Sequence, residues 1–228
     1  MIGDSMTSKL FIQAITKYLL GVILVGILIF IPAGTLAFTQ GWILMVILFI
    51  PMFMAGFVMM KKAPELLKKR LDAKEKQEEQ SIVVKLSGLM FLAGFIVAGL
   101  GVRFGWYMLP LGVTVCATVV FVAGYILYGE VLRENTYLSR TIEVQDDQKV
   151  IDTGLYGIVR HPMYSATLLM FLAMPLVLGS VFSFIIFLAY PLIIIKRIKG
   201  EEEFLEKELA DYSEYKQNVK YRLIPFIW

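Results

Sequence analysis

Charged side chains are almost absent from four long stretches of the chain, and the positions inside them are overwhelmingly hydrocarbon. These are Leu10–Ile31, Trp42–Met60, Leu86–Val102 and Trp106–Tyr128, with Lys17 the one charge they contain. A helix needs about 20 mostly apolar residues to cross the hydrocarbon core of a bilayer, so each stretch predicts a spanning helix. A fifth run, Ala166–Ile195, is also apolar throughout but is interrupted by Pro175, Gly179–Ser180 and Pro191. As one straight helix it would measure about 45 Å, well beyond a core of roughly 30 Å. Folding at Leu178–Gly179–Ser180 instead gives two arms, each of roughly half a span. Arms that short pack against neighbouring helices, because lipid satisfies no loose backbone. The pattern therefore predicts an all-α polytopic membrane protein with four spanning helices and a C-terminal helical hairpin. Residues 1–128 form the spanning region and 129–228 a linker, hairpin and tail, integrated into one domain.

Composition supports this class: 58% of the residues are hydrophobic, far from the balance of a water-soluble domain. The first apolar run is expected to stay in the membrane, since it is long enough to span and lacks a small-residue cleavage site. Cys116 falls within the fourth run and is the single cysteine, so no internal disulfide forms; it reads as a buried, inert thiol. No cluster of histidine and cysteine has metal-ligand spacing, and no metal is expected.

Basic residues fix an orientation. Lys9 and Lys17 open the first run, eight Lys and Arg lie in 61–85, four in 129–162 and seven after Ile195, while Arg103 stands by itself in a loop of the other side. The positive-inside rule then makes both termini and both long loops cytoplasmic, in a cell or plasma membrane, or in the endoplasmic reticulum of a eukaryote. The net charge of +3 follows from this topology. It gives no reason to expect nucleic acid, for no basic stripe is interleaved with aromatics. In 61–85, Leu66, Leu67 and Leu71 share a helical side, which fits either an interfacial amphipathic helix or a charged solvated loop.

Candidate chemistry concentrates after residue 129. The linker carries Asn135, Ser139, a possible short strand at Thr141–Val144 and a turn signal at Asp152–Thr153–Gly154. "IVRHPMYS" holds the one histidine of the chain, His161, directly before Pro162. Proline disfavours helix at the residue before it and suits a first helical turn, so His161 is expected at the mouth of the hairpin's first arm. Arg197 and Glu201 stand at i, i+4 and share a face at the end of the second arm. Phe204/Leu205, Leu209, Tyr212 and Val219 recur at helical spacing and give the tail an apolar face. The hairpin brings His161, Arg197 and Glu201 to one membrane face, an arrangement suited to an amphiphile.

"TGLYGIVRHPMY", "KRIKGEE", "YSEY" and "YRLIP" together resemble the isoprenylcysteine carboxyl methyltransferase family and its bacterial relatives, over roughly residues 130–228. The resemblance implies a membrane methyltransferase using S-adenosylmethionine. It assigns the cofactor to Gln148, Lys149, Val150, Ile151, Tyr156, His161, Pro162, Met163, Tyr164, Glu201 and Glu202, with Glu143 a looser match. It gives Arg197 to the acceptor carboxylate, with Arg197 and Glu201 as the catalytic pair. Some relatives carry a histidine where Gln148 stands, which puts that contact in doubt. The implied partners are the bilayer and a lipophilic carboxylate, of which prenylated cysteine is the family's best-known class; the oligomeric state stays open. The acceptor would arrive sideways, between the fourth run and the hairpin. "PFIW" at the C-terminus carries no prenylation signal. Three alternatives remain: an NADPH-dependent sterol or steroid reductase, a phospholipid N-methyltransferase, and a non-catalytic lipid-binding protein.

Overall fold

The computed structural model describes residues 2–71, 78–138, 142, 144 and 148–228, without the side chains of 2–7 and 78–79. Ser139, Glu143 and all of the expected Thr141–Val144 strand except Ile142 and Val144 lie outside the described residues, as does the 72–77 part of the second loop. The elements are helices: α1 (Ile2–Ala33), α2 (Thr39–Lys62), α3 (Pro64–Leu71), α4 (Glu78–Arg103), α5 (Leu111–Glu134), α6 (Pro162–Val177), α7 (Val181–Phe187), α8 (Tyr190–Glu208) and α9 (Tyr212–Asn218). The β-pairing among the described residues is an isolated bridge, Met108 to Ser180.

Among the described residues, five stretches are long and apolar enough to cross a membrane: Ser8–Ala33, Thr39–Lys62, Gln80–Arg103, Leu111–Glu134 and Val181–Glu208. Their outer faces present large apolar side chains, with Ile126 70% and Leu192 71% exposed. A mostly apolar exterior suits hydrocarbon as the surrounding solvent. Cys116 belongs to this exterior: it is exposed, not buried as its sequence context suggested. The reason is geometric. α5 packs through Thr114, Ala117, Phe121 and Gly124, and Cys116 falls off that face.

The hairpin turns where Gly179 takes a left-handed φ of 70°. Its arms are unequal, contrary to the pattern-based expectation. α6 has 16 residues, whereas α7 and α8, offset at Leu188–Ala189, continue to Glu208. Charged residues prolong the second arm beyond Ile195, so it is itself long enough to span. The offset precedes Pro191, whose missing N–H makes it suited to the first turn of a helix.

The core is a column of interlocking aromatics. Phe91 meets Phe171 at 4.8 Å and Phe187 at 5.3 Å, and Phe171 meets Tyr190 at 4.8 Å, all edge-on. Ring quadrupoles favour such edge contacts. α5 and α6 approach closely because position 124 is glycine; a Cβ there would meet the Ala166 carbonyl at 3.1 Å and the Met170 side chain. That seam, the expected path for the acceptor, is therefore filled by packed atoms.

The two ends of the helix bundle differ. At one, the Leu109 N–H donates to Gly179 O at 2.8 Å, and Arg103 lies against Gly34. At the other, the Lys17 ammonium donates to Leu71 O and α3 packs its buried Leu66 and Leu67 inward. α3 is thus a helix in the segment where sequence left helix and loop both open.

Candidate active site

The ends of α5, α6 and α8 meet α9 around an open cleft of about 110 Å3. The chain reaches it through a sequence of local constraints. Glu134, at the end of α5, accepts from the Leu155 N–H at 2.9 Å, and the Asn135 amide donates to the Tyr156 hydroxyl at 2.8 Å. Gly154 starts this 3-10 turn at φ 58°, and the Glu134 carboxylate occupies the space a side chain would need. "TGLYG" is thus a backbone device that lays Tyr156 against the cleft.

"RHP" follows. His161 is the residue before α6 and Pro162 opens the helix, as expected. The backbone N–H groups of Arg160 and His161 donate to Tyr221 O and Arg222 O, each at 2.9 Å. "YRLIP" thereby becomes a strap across the helix mouth. Ser165 Oγ fastens it further by donating to Leu223 O at 2.6 Å.

Glu202 holds the strap from behind. Its Oε1 accepts from Arg160 Nε at 2.7 Å and lies 3.2 Å from His161 Nε2, while Oε2 accepts from Arg222 Nε at 2.9 Å. Arg160 spends a second nitrogen on Val219 O and Lys220 O, at 2.6 and 2.9 Å. One buried guanidinium, Arg160, and one partly exposed guanidinium, Arg222, thus balance the charge of a buried carboxylate.

Glu201 points the other way, into the cleft. The Tyr164 hydroxyl donates to its Oε2 at 2.5 Å and accepts from Arg197 Nε at 3.3 Å. Arg197 is 7% exposed, so it is a buried charge and not a solvated helix-end one. Its Nη1 also donates to Gln80 Oε1 at 3.2 Å, across from α4.

The sequence-derived residues divide accordingly. Gln148, Lys149, Val150, Ile151, Tyr156, His161, Met163, Tyr164, Arg197 and Glu201 all line the cleft. Pro162 is packed out of sight as the first residue of α6, and Glu202 serves the ion cluster behind the wall. Residues that sequence reading missed include Gln80, Arg70 and Tyr215. Arg70 donates to the Tyr128 hydroxyl and touches Met163 Sδ at 3.9 Å; Tyr215 donates to Tyr156 O at 2.7 Å. No local signal marks Gln80, which stands 117 positions from Arg197.

The tail is two helices, not one. α8 ends at Glu208, Asp211 adopts φ 64°, and α9 restarts at Tyr212. The turn still gathers Leu205, Leu209, Tyr212, Tyr215 and Val219 into a small apolar cluster with Val144 and Val150. Burial pushes the Tyr156 phenol up to about 12 and raises Tyr215 and Tyr212 further. The Tyr212 hydroxyl, buried at the cleft, has no hydrogen-bond partner among the described residues.

The family model described as phospholipid methyltransferase matches residues 106–211, from the loop before α5 to the start of α9. The chain is also 27% identical over 133 residues to the mouse Delta(14)-sterol reductase TM7SF2, covering 53% of this chain and 32% of that protein. The chain thus spans about a third of the length of this curated relative.

Proposed function

We propose that this chain is a membrane-embedded methyltransferase that uses S-adenosylmethionine and methylates the carboxylate of a lipophilic acceptor. The observation that carries the reading is the Arg197–Tyr164–Glu201 chain of contacts, facing one cleft at the edge of an apolar helix bundle. The match to the phospholipid methyltransferase model over the same region supports it.

The lining fits the cofactor. The Glu201 carboxylate suits a cationic group, Tyr156, Val150 and Leu209 offer walls for a flat base, and the Tyr212 hydroxyl has hydrogen-bonding capacity to spare. When bound, S-adenosylmethionine supplies an activated methyl group. The chain's own residues have a limited task, since a carboxylate is already ionised near neutral pH and needs no general base. Arg197 offers a planar fork that holds a carboxylate at two points. Tyr164 ties that fork to Glu201, so acceptor and cofactor sides keep a fixed relation. The surrounding hydrocarbon strengthens these contacts and excludes water from a weak nucleophile. The cytoplasm is the side from which a polar cofactor reaches this cleft, in keeping with the basic loops at that end.

The matched family's name points to phospholipids, whose headgroups can carry amines, but Arg197 in the lining repels a protonated amine. Similarity to a sterol reductase makes NADPH reduction the second reading. A dinucleotide with several phosphates is poorly served here, because Glu201 faces the cleft and Arg160 is committed to Glu202.

Binding of S-adenosylhomocysteine and NADPH to the protein in lipid nanodiscs, measured by calorimetry, tests this. Binding of the S-adenosyl compound is expected. Binding of NADPH alone would replace the proposal with the reductase reading, and binding of neither would favour a non-catalytic role.

A further inference from the structure

Gln80 is 2% exposed, an unusual degree of burial for a side-chain amide at the start of a spanning helix. Its Oε1 accepts from Arg197 Nη1 at 3.2 Å. Its Nε2 lies directly over Gly200, in the space that a Cβ at that position would fill. The absence of a side chain at residue 200 therefore makes room for the amide to reach Arg197.

We propose that Gln80 is a positioning residue that orients the Arg197 guanidinium for an anionic acceptor group. This rests on the reading of the cleft as an acceptor site. A glutamine is suited to the task because it is neutral. It fixes one arm of the guanidinium by a hydrogen bond yet adds no negative charge to a site where Glu201 is already present. A carboxylate at position 80 would make the same contact but compete with the acceptor for the positive charge. An apolar residue would remove that hydrogen bond from the guanidinium.

Gln80 also stands between two spaces. On its far side is a groove bordered by Leu192, Ile195, Lys196, Lys199 and Glu203, where the apolar face of α8 gives way to charge. The amide thus separates Arg197 from a flank at the membrane boundary, so its replacement alters the charge preference of the site as well as its order.

The test uses the full chain in nanodiscs of neutral lipid. The probes are a fluorescent fatty acid and the corresponding fatty alcohol, at about pH 8.5, where the acid is ionised. The wild type is expected to bind the acid at least about tenfold more tightly than the alcohol, the size of one charged hydrogen bond. Gln80→Glu should bring that ratio close to one, and Gln80→Leu should reduce it. Gly200→Ala should reduce it as well, with Gln80 itself intact. That substitution meets the far end of the Gln80 side chain, which must shift, and its thermal midpoint is recorded so that a folding loss is not read as a lost preference. S-adenosylhomocysteine affinity is measured on the same samples. Unchanged S-adenosylhomocysteine affinity with a lost acid preference supports the proposal. An acid preference that survives in Gln80→Glu, or that the wild type lacks, overturns it. Failure of every sample to bind S-adenosylhomocysteine rejects the methyltransferase reading instead, whatever the probes do.

Discussion

Arg160 Nε and Glu202 Oε1 meet at 2.7 Å, with only 4% and 3% of the two side chains exposed. The adjacent glutamate, Glu201, turns into the cleft and shares Tyr164 with Arg197. Neighbouring residues of one helix thus meet separate surroundings, one holding the C-terminal strap and the other facing the cleft. A helix sends consecutive side chains about 100° apart, so an adjacent pair can address two environments.

Glu202→Gln should be destabilising, whether or not the protein binds ligand. Removing one partner of a buried ion pair costs roughly 3–5 kcal/mol, because the other charge is left unpaired. Thermal melting in detergent should show a fall of many degrees, along with faster proteolysis of the 219–228 strap. A midpoint equal to the wild type would contradict the structural assignment of Glu202.

Glu201→Gln should leave the fold intact and weaken S-adenosylhomocysteine binding. A hydrogen bond to a charged group contributes about 1.5–3 kcal/mol, which corresponds to a loss of roughly tenfold to a hundredfold. Calorimetry on the purified variant measures it. If affinity stays constant, Glu201 is not part of the cofactor side.

Arg197→Lys should impair turnover far more than cofactor affinity. A lysine keeps the charge but not the planar fork that contacts both Tyr164 and Gln80. Parallel loss of both quantities would remove the division between Arg197 and Glu201.

Alkaline pH should loosen the cleft. Burial first, and nearby Glu201 and Glu134 in part, hold the Tyr156 phenol protonated up to about 12, against the hydrogen bond from Asn135 and the Arg70 charge, which pull the other way. An acid whose folded pKa is raised contributes stability that is complete below the unfolded value of about 10 and is lost as pH rises toward the folded value. Stability should therefore fall between about pH 10 and 12, with late phenol titration seen by absorbance. Tyr156→Phe should flatten part of that decline. An unchanged alkaline profile would show that Tyr156 is not the group responsible.

Sequence alone determined the class, the first four spanning segments and much of the cleft lining. Those properties are local: a bilayer demands long uncharged runs, Pro162 and Gly154 dictate their own backbone, and Arg197–Glu201 is a one-turn spacing. The pattern could not tell which of two adjacent glutamates faces the cleft, because that depends on helix rotation against α6. It misjudged Cys116 and the tail for related reasons; one turned on which face of α5 packs, the other on a single left-handed residue, Asp211. Only the tertiary structure brought Gln80 to Arg197 across 117 positions and folded "YRLIP" over "RHP". Burial of a charge requires partners from wherever the chain can supply them, and linear spacing carries no record of which distant segment that is.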